Sequence, residues 1–378
     1  MKIVYCTHSV CNPGGMERVL ANKVRWLSVH KGWDLMVVTT DQGGRPPFYC
    51  FPPQVKMVDL GIDYSEDNAK NPAAKIAGYL WRRHRHRRLL TELLERERPD
   101  VTVSLYPSES SFIPDIKDGS RKVLELHYNR FFRLQYARKG ILGMIDRWRT
   151  RQDETIVRRF DRFVVLSNED RGYWGDIPGM VVIPNAALDM GKGVSDVSAK
   201  RVIAVGRLDY QKGFDRLVKA WKIVVDSGRF PDWHLDIFGR GEWKDMLEDM
   251  AKEEHVSDTL HLAGVTTSIA EEYMRSSLLV MSSNYEGFPM VMIEAMSCGL
   301  PAVSFDFMCG PNDIIKDGVN GLLVHNGDIS GLAEAMMRLM DDRELRIRMS
   351  LEARKVVEEW SEEKIMHRWT SLFESLSR

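Results

Sequence analysis

The chain has 378 residues, 44% hydrophobic and 28% charged, the make-up of a globular protein with no low-complexity tract. That length calls for two domains rather than one core, and no apolar run approaches the ~20 residues that cross a bilayer. Net charge is −1, yet residues 1–185 hold 30 Lys/Arg against 22 Asp/Glu and the remainder 23 against 32, so an anionic partner or surface is expected for the first half.

The first element is an apolar run from Lys2 that stops at Asn12-Pro13-Gly14-Gly15. It reads as a buried strand and is too short for a secretory signal. Strands are expected at Lys2–Thr7, Asp34–Thr39, Val101–Leu105, Lys122–Leu126, Phe163–Leu166 and Val181–Ile183. A second series follows at Arg201–Val205, His234–Phe238, Thr259–Leu262, Leu279–Met281, Ala302–Ser304 and Gly321–Val324. Many carry apolar residues at consecutive positions, as strands covered on both faces do. Between them runs helical periodicity, for example Phe214, Leu217, Val218 and Trp221. The fold class expected is α/β, with two doubly wound parallel sheets joined near residues 185–200 and a ligand cleft where they face each other. The five cysteines, Cys6, Cys11, Cys50, Cys298 and Cys309, form no C-x-x-C pair and have no zinc spacing, so free thiols in a reducing compartment are expected.

Two stretches of the first half are basic and apolar together. Residues 68–91 contain no acid, and WRRHRHRRLL (81–90) sets five arginines and two histidines beside Ile76, Tyr79, Leu80, Leu89, Leu90, Leu93 and Leu94. The stretch Phe131–Phe160 mixes Phe131, Phe132, Leu134, Tyr136, Ile141, Leu142, Met144 and Trp148 with arginines. Such helices suit an anionic membrane surface. The alternative stays open that each buries its apolar face in the domain and solvates its arginines. No nucleic-acid motif accompanies the arginines, so no nucleic-acid partner is expected.

VGRLDYQKGFDRL (205–217) leaves a strand and presents Arg207 and Lys212, two cations able to straddle a diphosphate. YEGFPMVMIEAMSCGLPAV (285–303) is the densest signal. Pro289 suits a first helical turn and Gly299 its stop. Gly287 permits close approach to the backbone, and the helix start is a seat for phosphate or sugar oxygens. Glu286 is placed to accept from sugar hydroxyls. Glu294, flanked by Val291, Ile293 and Ala295, needs donors such as those of a ribose.

Together with NPGGMERV (12–19), FGRGE (238–242), CGPNDIIKDGVNGLLV (309–324) and the spacing Glu286-x7-Glu294, these strings make the chain resemble glycosyltransferase family 4 (group 1) across nearly its full length. The resemblance implies a GT-B fold and a retaining, metal-independent transferase using a nucleotide diphosphate-sugar, with UDP the expected carrier. It implies an N-terminal acceptor domain, residues 1–187 with a returning helix 361–378, and a C-terminal donor domain, residues 188–360. Arg207 and Lys212 would meet the diphosphate, with Gly14 and Gly15 closing on it. Glu294 would hold the ribose, and Glu286 with Gly287, Phe288, Pro289 and Met290 the donor sugar. Glu286 and His127, in LELHYNRF, would be the catalytic pair, with His8 a lesser candidate. The departing phosphate would help deprotonate the acceptor on the same face.

No D-x-D triplet occurs, so no metal site and no cofactor beyond the co-substrate are expected. The acceptor expected is a lipid or lipid-linked glycan of glycolipid or surface-polysaccharide assembly, which places the enzyme in the cytoplasm at the inner face of the membrane. The alternatives weighed are a soluble acceptor, a GT-B sugar-nucleotide epimerase, a phosphorylase with pyridoxal, and a non-catalytic scaffold.

Overall fold

The computed structural model describes residues 1–64, 72–105, 108–135, 138–188, 190–191 and 193–377, without the side chains of 72–75. Residues 68–71 of the acid-free stretch, Tyr136 of the second basic stretch and Lys192 of the expected linker lie outside the described residues. The chain divides into two compact units, Met1–Pro184 with Ile365–Arg378, and Asn185–Lys364.

The first unit holds seven strands: β1 (Lys2–Thr7), β2 (Asp34–Thr39), β3 (Lys56–Asp59), β4 (Val101–Ser104), β5 (Arg121–Glu125), β6 (Arg162–Val165) and β7 (Met180–Val182). They form one sheet in the order β3-β2-β1-β4-β5-β6-β7, every pair parallel. On one face of the sheet Val4, Val38, Leu124 and Phe163 share a core cluster with Leu90 and Leu94 of the Pro72–Glu97 helix. β3 escapes the sequence pattern because Lys-Met-Val-Asp has no apolar run; it is a mostly exposed strand at the sheet edge.

The second unit holds β8 (Arg201–Val205), β9 (His234–Phe238), β10 (Leu260–Gly264), β11 (Leu278–Met281), β12 (Ala302–Phe305) and β13 (Gly321–Val324), in the order β10-β9-β8-β11-β12-β13. All its pairs are parallel too. The Phe214–Asp226 helix buries Leu217, Val218, Trp221 and Val224, the face its 3.6-residue period predicts. In both sheets the strand order reverses beside the first strand, between β1 and β4 and between β8 and β11. Ligands of doubly wound sheets bind at the carboxyl ends of the strands flanking such a reversal.

At the carboxyl end of β8 the backbone is packed too tightly for any side chain but hydrogen. A Cβ on Gly239, whose φ is 152°, would lie 1.8 Å from the carbonyl oxygen of Gly206. Gly239→Ala is therefore expected to destabilise the second unit by about 3 kcal/mol, as forced backbone displacement does. Urea unfolding followed by tryptophan fluorescence measures it; an unchanged midpoint would mean the two turns are free to part.

Candidate functional site

In the second unit, the chain leaves β8 through Gly206 and Arg207 and turns at Asp209. The Asp209 carboxylate accepts from the Lys212 backbone N–H at 3.3 Å, capping the short 3-10 turn Tyr210–Lys212. Gly213 then adopts φ 59°, and a Cβ there would strike the Ser282 carbonyl, so the loop after β8 lies directly on the loop after β11. The Ser282 hydroxyl donates to the Lys212 carbonyl at 3.0 Å, and the Asn284 N–H to the Gln211 carbonyl at 2.7 Å.

This interlock brings the two sequence signals together. Lys212 Nζ lies 2.7 Å from Glu286 Oε1. The Ser283 hydroxyl donates to the same oxygen at 2.8 Å, and Gln211 Nε2 to Glu286 Oε2 at 3.0 Å. Arg207 donates to Gln211 Oε1 at 2.8 Å and stands 3.3 Å from Asp209. Glu286 and Lys212 are largely buried, whereas the Arg207 side chain is 71% exposed. A carboxylate held by one cation and two neutral donors is fixed in direction. It is a rigid acceptor for hydroxyl groups, with the exposed Arg207 guanidinium on the neighbouring loop, which also carries Lys212, to reach an anion.

Glu286 is anchored from below by the Tyr285–Met308 bridge and by its own N–H on the Met308 carbonyl at 3.3 Å. Phe288 is buried. Pro289 does not enter the helix as expected. Its ψ of 79° makes it the residue before the Met290–Ser297 helix, with its carbonyl accepting from Met292 N at 3.0 Å. The Pro289 ring packs against the Gly310 backbone, where an added Cβ would come within 2.3 Å of Pro289 Cδ. Glu294 is buried within that helix, and Gly299 follows its end with φ 87°.

In the first unit, Gly14 is the N-terminal cap of the Gly15–Trp26 helix, and Gly15 is its first residue. Glu17, one turn in, has its carboxyl pushed up by burial, against the pull of the nearby His127 and His8. His127 follows β5, with Nε2 3.1 Å from Glu125 Oε1. The same oxygen accepts from Lys23, so one carboxylate serves two basic groups. Burial works against the Glu125 charge, but Lys23 and His127 prevail and hold its carboxyl down at about 2. Lys23 Nζ in turn sits 3.5 Å from the ring centroid of Trp369, on the Glu362–Leu376 helix. His8 stands 3.2 Å from Asp41, which raises its pKa.

Sequence reasoning singled out His127 but missed Lys23, Glu125 and Trp369 beneath it, and Gln211 and Ser283 around Glu286. One signal was available: an acid inside the apolar run Val-Leu-Glu-Leu-His needs a buried cation. Nothing local says that the cation is Lys23.

Two family models match the chain, Glycosyltransferase Family 4 over residues 13–187 and Glycosyl transferases group 1 over residues 187–356. An uncharacterized glycosyltransferase of Haemophilus influenzae is 27% identical over 378 residues, 98% of this chain and 99% of that one. The amylovoran biosynthesis glycosyltransferase AmsD of Erwinia amylovora is 32% identical over 222 residues, 56% of this chain and 62% of that protein. Among solved structures, a Staphylococcus aureus TarM mutant in complex with fondaparinux, alpha-GlcNAc-glycerol and UDP matches with a TM-score of 0.75 at 17% identity, covering 98% of this chain and 99% of that one.

Proposed function

The chain belongs to glycosyltransferase family 4, group 1, with the GT-B fold, and from that premise we propose that it is a retaining, metal-independent hexosyltransferase using a UDP-sugar. It moves a hexose or N-acetylhexosamine to a lipid or lipid-linked glycan acceptor, forming an α-glycosidic bond in glycolipid or surface-polysaccharide assembly on the cytoplasmic face of a membrane.

The observation that carries this reading is the Lys212–Glu286 pair at the strand-order reversal of the second sheet. Glu286 takes the donor-sugar hydroxyls, together with the backbone of Gly287, Phe288, Pro289 and Met290. Lys212 and Arg207 neutralise the diphosphate as the sugar–oxygen bond breaks, preorganised charge doing what a metal does elsewhere. Glu294 binds the ribose, and Gly14 and Gly15 approach the diphosphate. The catalytic assignment stays with Glu286 and His127. The UDP and alpha-GlcNAc-glycerol named for the TarM complex support the choice of UDP and an α-linkage in this proposal.

A thermal-shift screen of UDP, GDP and ADP with and without EDTA tests the donor site. UDP at ~100 times its Kd adds roughly 2.7 kcal/mol. The expected shift is UDP-selective, indifferent to EDTA and lost in Lys212→Ala. No shift with any nucleotide would remove the donor assignment. Incubation with a UDP-sugar alone separates the epimerase reading, which predicts a changed sugar without an acceptor.

A further inference from the structure

The Gly140–Val157 helix is inside out. The side it buries is Gly143, Asp146, Thr150, Asp153 and Val157, a heptad spacing filled almost wholly by small or polar residues. Arg133 pairs with Asp153 at 3.1 Å and Arg138 with Asp146 at 3.7 Å, so ion pairs hold the helix to its unit. The opposite side carries Ile141, Leu142, Met144, Ile145 and Trp148, with Ile141 77% and Trp148 57% exposed. At about 100° per residue, Arg151 and Arg147 fall beyond Met144 at one edge of this apolar stripe, and Arg149 falls beside Leu142 at the other edge. All three are exposed, and none of the three has a carboxylate partner among the described residues. The Pro72–Glu97 helix packs Leu90, Leu93 and Leu94 into the core at its C-terminal end but repeats the inversion earlier along its length. It buries Arg82 and His86 while exposing Ile76, Tyr79, Leu80 and Trp81.

Water is a poor partner for such a stripe, and a protein partner would have to satisfy arginines on both its flanks. We propose that the Ile141–Trp148 face of this helix lies in the headgroup region of an anionic bilayer. The apolar side chains enter the acyl boundary, and Arg147, Arg149 and Arg151 meet lipid phosphates. The proposal rests for its purpose on the lipid-linked acceptor read above. No helix among the described residues is long and apolar enough to cross a membrane, so the contact is in the plane of the surface.

Flotation of the full chain with phosphatidylcholine vesicles, with and without phosphatidylglycerol, tests it. The chain is expected to float with the anionic vesicles and to be released as salt rises. Arg147→Glu, Arg149→Glu and Arg151→Glu together lower the partition coefficient on the order of 100-fold. Ile141→Ser with Trp148→Ser, which leaves charge untouched, also lowers it and so distinguishes insertion from adsorption. Failure of the unaltered chain to float overturns the proposal, as does flotation of both variants at its level. So does sedimentation as a dimer that Trp148→Ser dissolves, because the face is then a protein interface. The UDP thermal shift is run on every variant. Its retention shows a folded chain, and its absence from an unaltered chain that still floats removes the donor reading alone.

Discussion

Glu286→Ala is expected to lower turnover on the order of 100-fold or more, the scale of losing a preorganised electrostatic contact to the reacting group. The structure sharpens how that loss should look. Glu286 occupies Lys212, Gln211 and Ser283 at once, at 2.7, 3.0 and 2.8 Å. Removing the carboxylate frees the Lys212 ammonium for phosphate, so UDP binding should hold or tighten while turnover collapses. Lys212→Ala behaves differently, losing nucleotide affinity and turnover together. Glu286→Gln keeps the size but not the charge, and should fall near the alanine variant if the fixed anion is what matters. Steady-state kinetics beside the UDP thermal shift gives both quantities. Near-native turnover in Glu286→Ala would take Glu286 out of the active site.

The second large effect is on stability. Lys23 and Glu125 form an ion pair buried on both sides, and breaking such a pair from one side typically costs 3–5 kcal/mol. Glu125→Ala leaves the ammonium beside Trp369 without its anion and should lower the melting temperature of the first unit on the order of 10 °C. The Glu125 carboxyl is held at about 2 rather than at 4.5, so its contribution is fully present above pH 4.5 and is lost as pH falls towards 2. The deficit of Glu125→Ala should therefore shrink over that acid window and stay constant above it. The double variant Lys23→Met with Glu125→Met should recover much of the loss, because an apolar pair of similar volume needs no charge compensation. Thermal melts across pH measure all three, and a pH-independent deficit would mean that packing, not charge, is what was removed.

Only the returning Glu362–Leu376 helix supplies Trp369 to that pair, so the carboxyl terminus contributes to the surroundings of His127 through Lys23 and Glu125. The helix was legible as a segment in the sequence, and its role beneath β5 was not. Most strands were readable, within a residue or two at their ends, because a strand covered on both faces must be apolar at consecutive positions. β3 was invisible for the converse reason: an edge strand with mostly exposed side chains needs no apolar run, and Val58 packs on the core while Lys56 and Asp59 make polar contacts.

The site divides along the same line. Sequence by itself singled out Arg207, Lys212, Glu286 and Glu294, the residues of the proposed donor site, because they stand in strings whose glycines and helix boundaries are local requirements of backbone geometry. Tertiary structure alone decided that Lys212 and Glu286, 74 residues apart, touch, and that Lys23 and Glu125, 102 residues apart, neutralise each other. It alone decided which side of the Gly140–Val157 helix faces water. Periodicity displays an apolar stripe but not the direction in which it points. That direction was set by Arg133 and Arg138, whose ion pairs draw the polar side inward and leave isoleucine, methionine and tryptophan outside.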